Sequence, residues 1–170
     1  GSYEESPELA LQTSIRFFKE AGAMAVKLEG AHLETVKKLV NSGIPVMGHL
    51  GLTPQSMHQL GGYKVQGRTD GDVILEAAKA LEAAGAFAIV LELVPAELAA
   101  RITAALAIPT VGIGAGVDCD SQVLVWTDLM GITKNPPKLA KAYRNLRTEM
   151  LDATKEWAGD VASSRFPGAE

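Results

Sequence analysis

The chain has 170 residues, 47% hydrophobic and 21% charged, with no tract polar or repetitive enough to stay disordered, so a single core-forming domain over 1–170 is expected. A formal net charge of -4, with lysines and arginines scattered along the chain, argues against a nucleic-acid binder and for small-molecule chemistry. The single cysteine, Cys119, excludes an intramolecular disulfide and a cysteine-rich zinc site and fits a reducing, cytoplasmic setting, and no apolar run approaches the roughly 20 residues that span a bilayer.

The chain opens Gly1-Ser2-Tyr3, with neither an initiating Met nor a signal peptide, as expected of a processed or partial chain. Ser6-Pro7-Glu8 sets a capping residue before a proline, and Leu9, Leu11, Ile15 and Phe18 follow at helical spacing, which predicts a helix over 6–21. Gly22 stops it, and 23–29 reads as a strand buried on both faces. A helix over 32–42 ends at Asn41-Ser42-Gly43. The cycle repeats with a strand over 44–49, a helix from Asp72 to Ala84, a strand over 86–92, a helix over 96–106 and a strand over 110–114. The related turns at Glu20–Ala23 and Ala83–Ala86 mark the same junction of helix end and next strand. A fifth strand is expected at Val123–Trp126, although it follows the fourth more closely than parallel crossovers usually allow. A long amphipathic helix over 138–161, with Leu139, Ala142, Tyr143, Leu146, Met150 and Leu151 on its apolar side, is the last predicted element.

This alternation resembles the latter part of a TIM (β/α)8 barrel more than an open nucleotide-binding sheet. Such a barrel takes about 250 residues, so three strand-helix units of about 30 residues each would account for the difference. The chain is expected to cover the last five strands and the C-terminal helix, with the N-terminal strands elsewhere.

Several charged residues fall where a barrel places chemistry, at the carboxyl ends of strands. Lys27 and Glu29 are two apart on one strand and share a face; they suit anion binding and metal binding, or a structural ion pair. His49 ends the next strand, where a lone histidine can be a hydrogen-bonded structural residue, but it opens a loop of nearly twenty residues to Arg68, a length typical of lids and binding loops, which favours a binding role. Glu92 closes an apolar run, where a buried carboxylate is costly unless paired or functional, and is the candidate general base; the alternative is a structural cap. Glu97 is explained by the helix dipole, and His32 and His58 read as surface residues. Gly112-Ile113-Gly114-Ala115-Gly116 looks at first like a dinucleotide loop, but the third glycine falls on Val117 or Cys119; the glycines suit close packing instead. Asp118 and Asp120 lack the spacing of a calcium loop and read as a solvated turn.

The segments Val26–Gly30, Gly48–Ser56, Gly61–Arg68, Leu91–Pro95 and Ile113–Gly116 together closely resemble the ketopantoate hydroxymethyltransferase family, in order and separation, over essentially the whole chain. The resemblance implies a TIM-type barrel that transfers a one-carbon unit from 5,10-methylenetetrahydrofolate to 3-methyl-2-oxobutanoate, through an enolate stabilised by magnesium. By motif position it implies Glu92 as the general base, Glu29 as the carboxylate beside the metal, and Lys27 and His49 as the substrate-contacting pair. It also implies a homo-oligomer, decameric in well-known members, with no nucleic-acid or membrane partner. Two aspartates of the family's metal site belong to motifs upstream of Gly1 and are not in this sequence, and the family's Glu-Gly-Gly stands here as Glu29-Gly30-Ala31. The competing expectations are a noncatalytic fragment or assembly subunit of such a barrel, and a related magnesium-dependent lyase or mutase of other 2-oxo acids.

Overall fold

The computed structural model describes residues 3–168, so the chain start at Gly1-Ser2 lies outside the described residues. They form two compact units, one reaching to Val123 and one from Leu124 onward.

The first unit alternates α1 (Pro7–Ala21), β1 (Val26–Glu29), α2 (Leu33–Asn41), β2 (Val46–Gly51), α3 (Gly71–Ala83), β3 (Ala88–Glu92), α4 (Ala96–Ala105), β4 (Thr110–Ile113) and β5 (Ser121–Gln122). The start of α1 follows from its sequence: the Ser6 hydroxyl accepts the Leu9 N–H at 3.1 Å and Pro7 follows the cap. At its other end Gly22 takes a left-handed φ of 67° and donates its N–H to the Phe17 carbonyl.

All strand pairs are parallel, in the order β1-β2-β3-β4-β5. Parallel winding without reversal of strand order is that of a TIM-type barrel; a doubly wound sheet reverses at a switch point. Alternation along the strands divides labour between the two faces. Leu28, Leu50, Ile89 and Leu91 join Val36, Leu39, Leu81, Leu98 and Ile102 of the helices in one apolar cluster. Lys27, Glu29, His49 and Glu92 occupy the alternate positions and therefore the other face, where register sets Glu29 beside His49 and Glu92 beside Gly51.

Several expectations need correction. The strand expected to end at His49 runs on to Gly51. The fifth strand is Ser121–Gln122, not Val123–Trp126; Val123 still donates its N–H to Gly112, but Trp126 begins a short helix, α5 (Trp126–Leu129). No helix fits in the connection 114–120, so pairing starts as soon as the chain returns alongside Val111 and Gly112. Asp120 anchors that return and is more than a solvated turn residue: its Oδ2 accepts from the Thr110 N–H at 2.8 Å and the Thr110 hydroxyl at 3.1 Å.

These bonds, the backbone N–H first, hold the Asp120 carboxyl below the usual aspartate range. A lowered folded-state value means that the stabilisation is complete above the unfolded aspartate pKa of about 3.9 and fades as pH falls through the lower folded one. Asp120→Asn is expected to flatten that part of the acid limb, read as the pH dependence of thermal unfolding from pH 6 downward, and an unchanged limb would count against the anchor.

In the second unit the long helix begins late, as α6 (Leu146–Ala162), rather than near residue 138. The Tyr143 and Leu146 N–H groups donate to the Leu129 and Met130 carbonyls, so 140–145 turns back on the end of α5 and cannot make helical bonds. The apolar side predicted for this helix is exposed at Met150 and Leu151. No helix among the described residues is long and apolar enough to cross a membrane.

Candidate active site

Three adjacent parallel strands deliver four functional groups to one place at their carboxyl ends. Lys27 Nζ lies 3.1 Å from His49 Nδ1 and 3.5 Å from Glu29 Oε1. On its other side the imidazole places Nε2 3.1 Å from Glu92 Oε2. The Glu29 and His49 side chains are 8% and 4% exposed, while Lys27 is 41% exposed, so the ammonium faces the open side of an otherwise closed cluster.

The network assigns the histidine tautomer. An ammonium at Lys27 can only donate, so Nδ1 accepts and the ring proton sits on Nε2. That N–H is buried, and the approach to Glu92 lacks hydrogen-bond geometry, leaving it without a hydrogen-bond partner among the described residues. A buried donor without a partner is costly, and a ligand oxygen would satisfy it. His49 is therefore equipped to donate to a carboxylate or carbonyl oxygen rather than to bind a metal.

Glu29 is held by residues that sequence reasoning missed. The Gln55 N–H donates to Glu29 Oε2 at 2.9 Å, tying the start of the long loop to the carboxylate. The Tyr3 hydroxyl accepts the Glu29 N–H at 3.1 Å and donates to Gln55 Oε1 at 3.0 Å. Burial, reinforced by the Glu29 charge, outweighs the backbone hydrogen bond and raises the Tyr3 phenol above its usual value, so it serves as a neutral bridge. His32, expected on the surface, is half-buried and meets the Tyr3 ring edge-on with centroids 5.7 Å apart. No local pattern marks Tyr3 or Gln55, whose partners are distant in sequence.

Glu92 is placed by backbone contacts. Its carbonyl accepts the Leu52 N–H at 2.8 Å. Gly51 makes that approach possible: with φ 89° it leaves no room for a Cβ, which would collide with the Glu92 carbonyl oxygen.

These residues do not make a magnesium site by themselves. Among the described residues no group of three or more His, Cys, Asp or Glu side chains could hold a metal ion. Glu29 offers one carboxylate whose two oxygens already meet Lys27 and Gln55, whereas magnesium requires near-octahedral oxygen coordination. A surface cavity of about 960 Å³, lined by Arg68, Asp72, Val94, Glu97 and Arg101 among others, includes none of the four site residues and brings no ligand set among the described residues.

The sequence model of the family described as ketopantoate hydroxymethyltransferase matches residues 1–169. The 3-methyl-2-oxobutanoate hydroxymethyltransferase of Acidothermus cellulolyticus is 61% identical over 173 residues, an alignment covering 99% of this chain and 64% of that protein. The protein of the same description from Frankia alni is 56% identical over 174 residues, covering 100% of this chain and 57% of that protein. The chain thus spans about three-fifths of the length of these curated relatives. A solved structure of a putative lyase/mutase from Burkholderia cenocepacia J2315 is similar at TM-score 0.49 and 16% identity, covering 99% of this chain and 60% of that one.

Proposed function

The chain belongs to the ketopantoate hydroxymethyltransferase family, and on that premise we propose that the protein of which it forms part transfers a hydroxymethyl group from 5,10-methylenetetrahydrofolate to 3-methyl-2-oxobutanoate, giving 2-dehydropantoate for pantothenate biosynthesis in the cytoplasm. The observation that carries the reading is the convergence of Lys27, Glu29, His49 and Glu92 at the carboxyl ends of β1, β2 and β3.

Each group has a role that its surroundings suit. Lys27, the exposed cation, binds the substrate carboxylate. His49 directs its unsatisfied Nε2–H at a substrate oxygen and orients the 2-oxo acid. Glu92, across the imidazole, takes the proton from C3. Water breaks both C–N bonds of the folate methylene group, its two protons passing to the two nitrogens and its oxygen staying on the carbon, which is then at the oxidation level of formaldehyde. The carbon nucleophile bonds to that carbon, and its oxygen takes the C3 proton held by Glu92 to become the hydroxyl. Magnesium, held chiefly by carboxylates outside this chain with Glu29 beside it, would supply Lewis-acid polarisation of the 2-oxo group. The family reading extends to a homo-oligomeric assembly, decameric by resemblance.

The test is folate- and magnesium-dependent formation of 2-dehydropantoate by the full-length protein; no product under those conditions removes the reading. Within it, Lys27→Met is expected to raise KM for the 2-oxo acid by about ten- to a hundredfold, the value of one charge-assisted contact. An unchanged KM would assign carboxylate binding elsewhere.

A further inference from the structure

Glu92 is followed by a backbone conformation that leucine disfavours. Leu93 has φ 47°, and with Ser164 it is one of two non-glycine residues at positive φ among the described residues. Its side chain is only half-buried, so packing of that side chain does not explain the turn. Hydrogen bonds from three elements do. The Leu52 N–H donates to the Glu92 carbonyl at 2.8 Å, the Leu93 N–H donates to the Ile113 carbonyl at 2.9 Å, and the Gln66 N–H donates to the Leu93 carbonyl at 2.9 Å. Leu52 follows β2, Ile113 ends β4, and Gln66 lies near the far end of the long loop. A disfavoured conformation persists where its surroundings over-determine it, and such positions cluster at functional sites.

We propose that the left-handed backbone at Leu93 is a positioning device for Glu92. It ends β3 at the carboxylate residue and fixes the Glu92 backbone from both sides, holding the side chain at its 3.1 Å approach to His49 Nε2. Leu93 acts through Glu92, and the inference rests on Glu92 being the base. Because the Gln66 bond joins the same turn, the far end of the long loop braces the base just as its start, through Gln55, braces Glu29.

A backbone role and a side-chain role predict opposite orders of activity. Asparagine tolerates positive φ, alanine pays the same conformational cost as leucine without its side chain, and β-branched valine resists the conformation most. In the full-length protein, the rate of solvent exchange of the C3 hydrogen of 3-methyl-2-oxobutanoate reads the proton step directly. Leu93→Asn and Leu93→Ala are expected to retain kcat within about threefold, while Leu93→Val lowers it about tenfold or more with KM within about threefold. KM is spared because Lys27 and His49 sit on other strands. Valine as fast as leucine, or valine above asparagine, overturns the proposal. If the valine variant does not fold, asparagine against alanine decides: parity supports a backbone role, and asparagine far below alanine overturns it. The base assignment is read separately, since Glu92→Gln exchanging at the parental rate would remove it whatever the order at 93.

Discussion

Glu92→Gln in the full-length protein is expected to lower kcat for 2-dehydropantoate formation, and for C3-hydrogen exchange, by about 10²- to 10⁴-fold, the usual span for a positioned general base. The amide nearly matches the carboxylate in size, so packing against His49 and the backbone bond from Leu52 should survive. What is lost is the ability to accept a proton. KM for the 2-oxo acid should stay within a few fold, because the oxygens of the substrate are assigned to Lys27 and His49. A fall confined to KM would make Glu92 a binding group instead. Undiminished exchange would move the base to another residue, and the structure offers Glu29 as the nearest alternative, 3.9 Å from His49 Nδ1.

Gly51→Ala carries the largest expected effect on stability, about 3–5 kcal/mol, from strained positive φ together with overpacking. Its Cβ would strike the Glu92 carbonyl oxygen and lie 2.7 Å from Val94 Cγ1. The oxygen belongs to the backbone and cannot rotate away, so β2 and β3 must part where Gly51 pairs with Glu92, and the Leu52 bond goes with them. Gly62→Ala is the internal control: φ there is 99°, but a Cβ would meet nothing within 4 Å, leaving only the conformational cost of about 1 kcal/mol. Urea unfolding of the full-length variants measures both, and equal losses at the two positions would show that the close approach at Gly51 is not tight.

How much of this was legible beforehand depended on the range of the interaction. Alternation of apolar runs with helical periodicity was enough to order four strands and four helices, because each element is written in its own neighbours. From residue 121 onward it misplaced the fifth strand by two residues and began the last helix too early, while the end of that helix near 161 held. The Trp126 carbonyl accepts the Met130 N–H in a helical turn, and the Tyr143 and Leu146 N–H groups donate to Leu129 and Met130, long-range contacts that no periodic window contains. The four charged residues were legible for a related reason: a charge at the end of an apolar run is a local anomaly. Tyr3, Gln55, Gly51 and Leu93 carry no such anomaly and were missed as parts of the site.

By itself the sequence determined the strand-helix alternation and the family, and it singled out Lys27, Glu29, His49 and Glu92 as candidate groups at strand ends. Tertiary structure decided their arrangement: that parallel register brings neighbouring groups within about 3–4 Å, that His49 Nε2 has no hydrogen-bond partner among the described residues, and that hydrogen bonds at Leu52 and Leu93 hold the Glu92 backbone. The physical reason is that composition and periodicity record what each residue prefers alone, whereas proton position and carboxylate placement depend on which groups meet across strands.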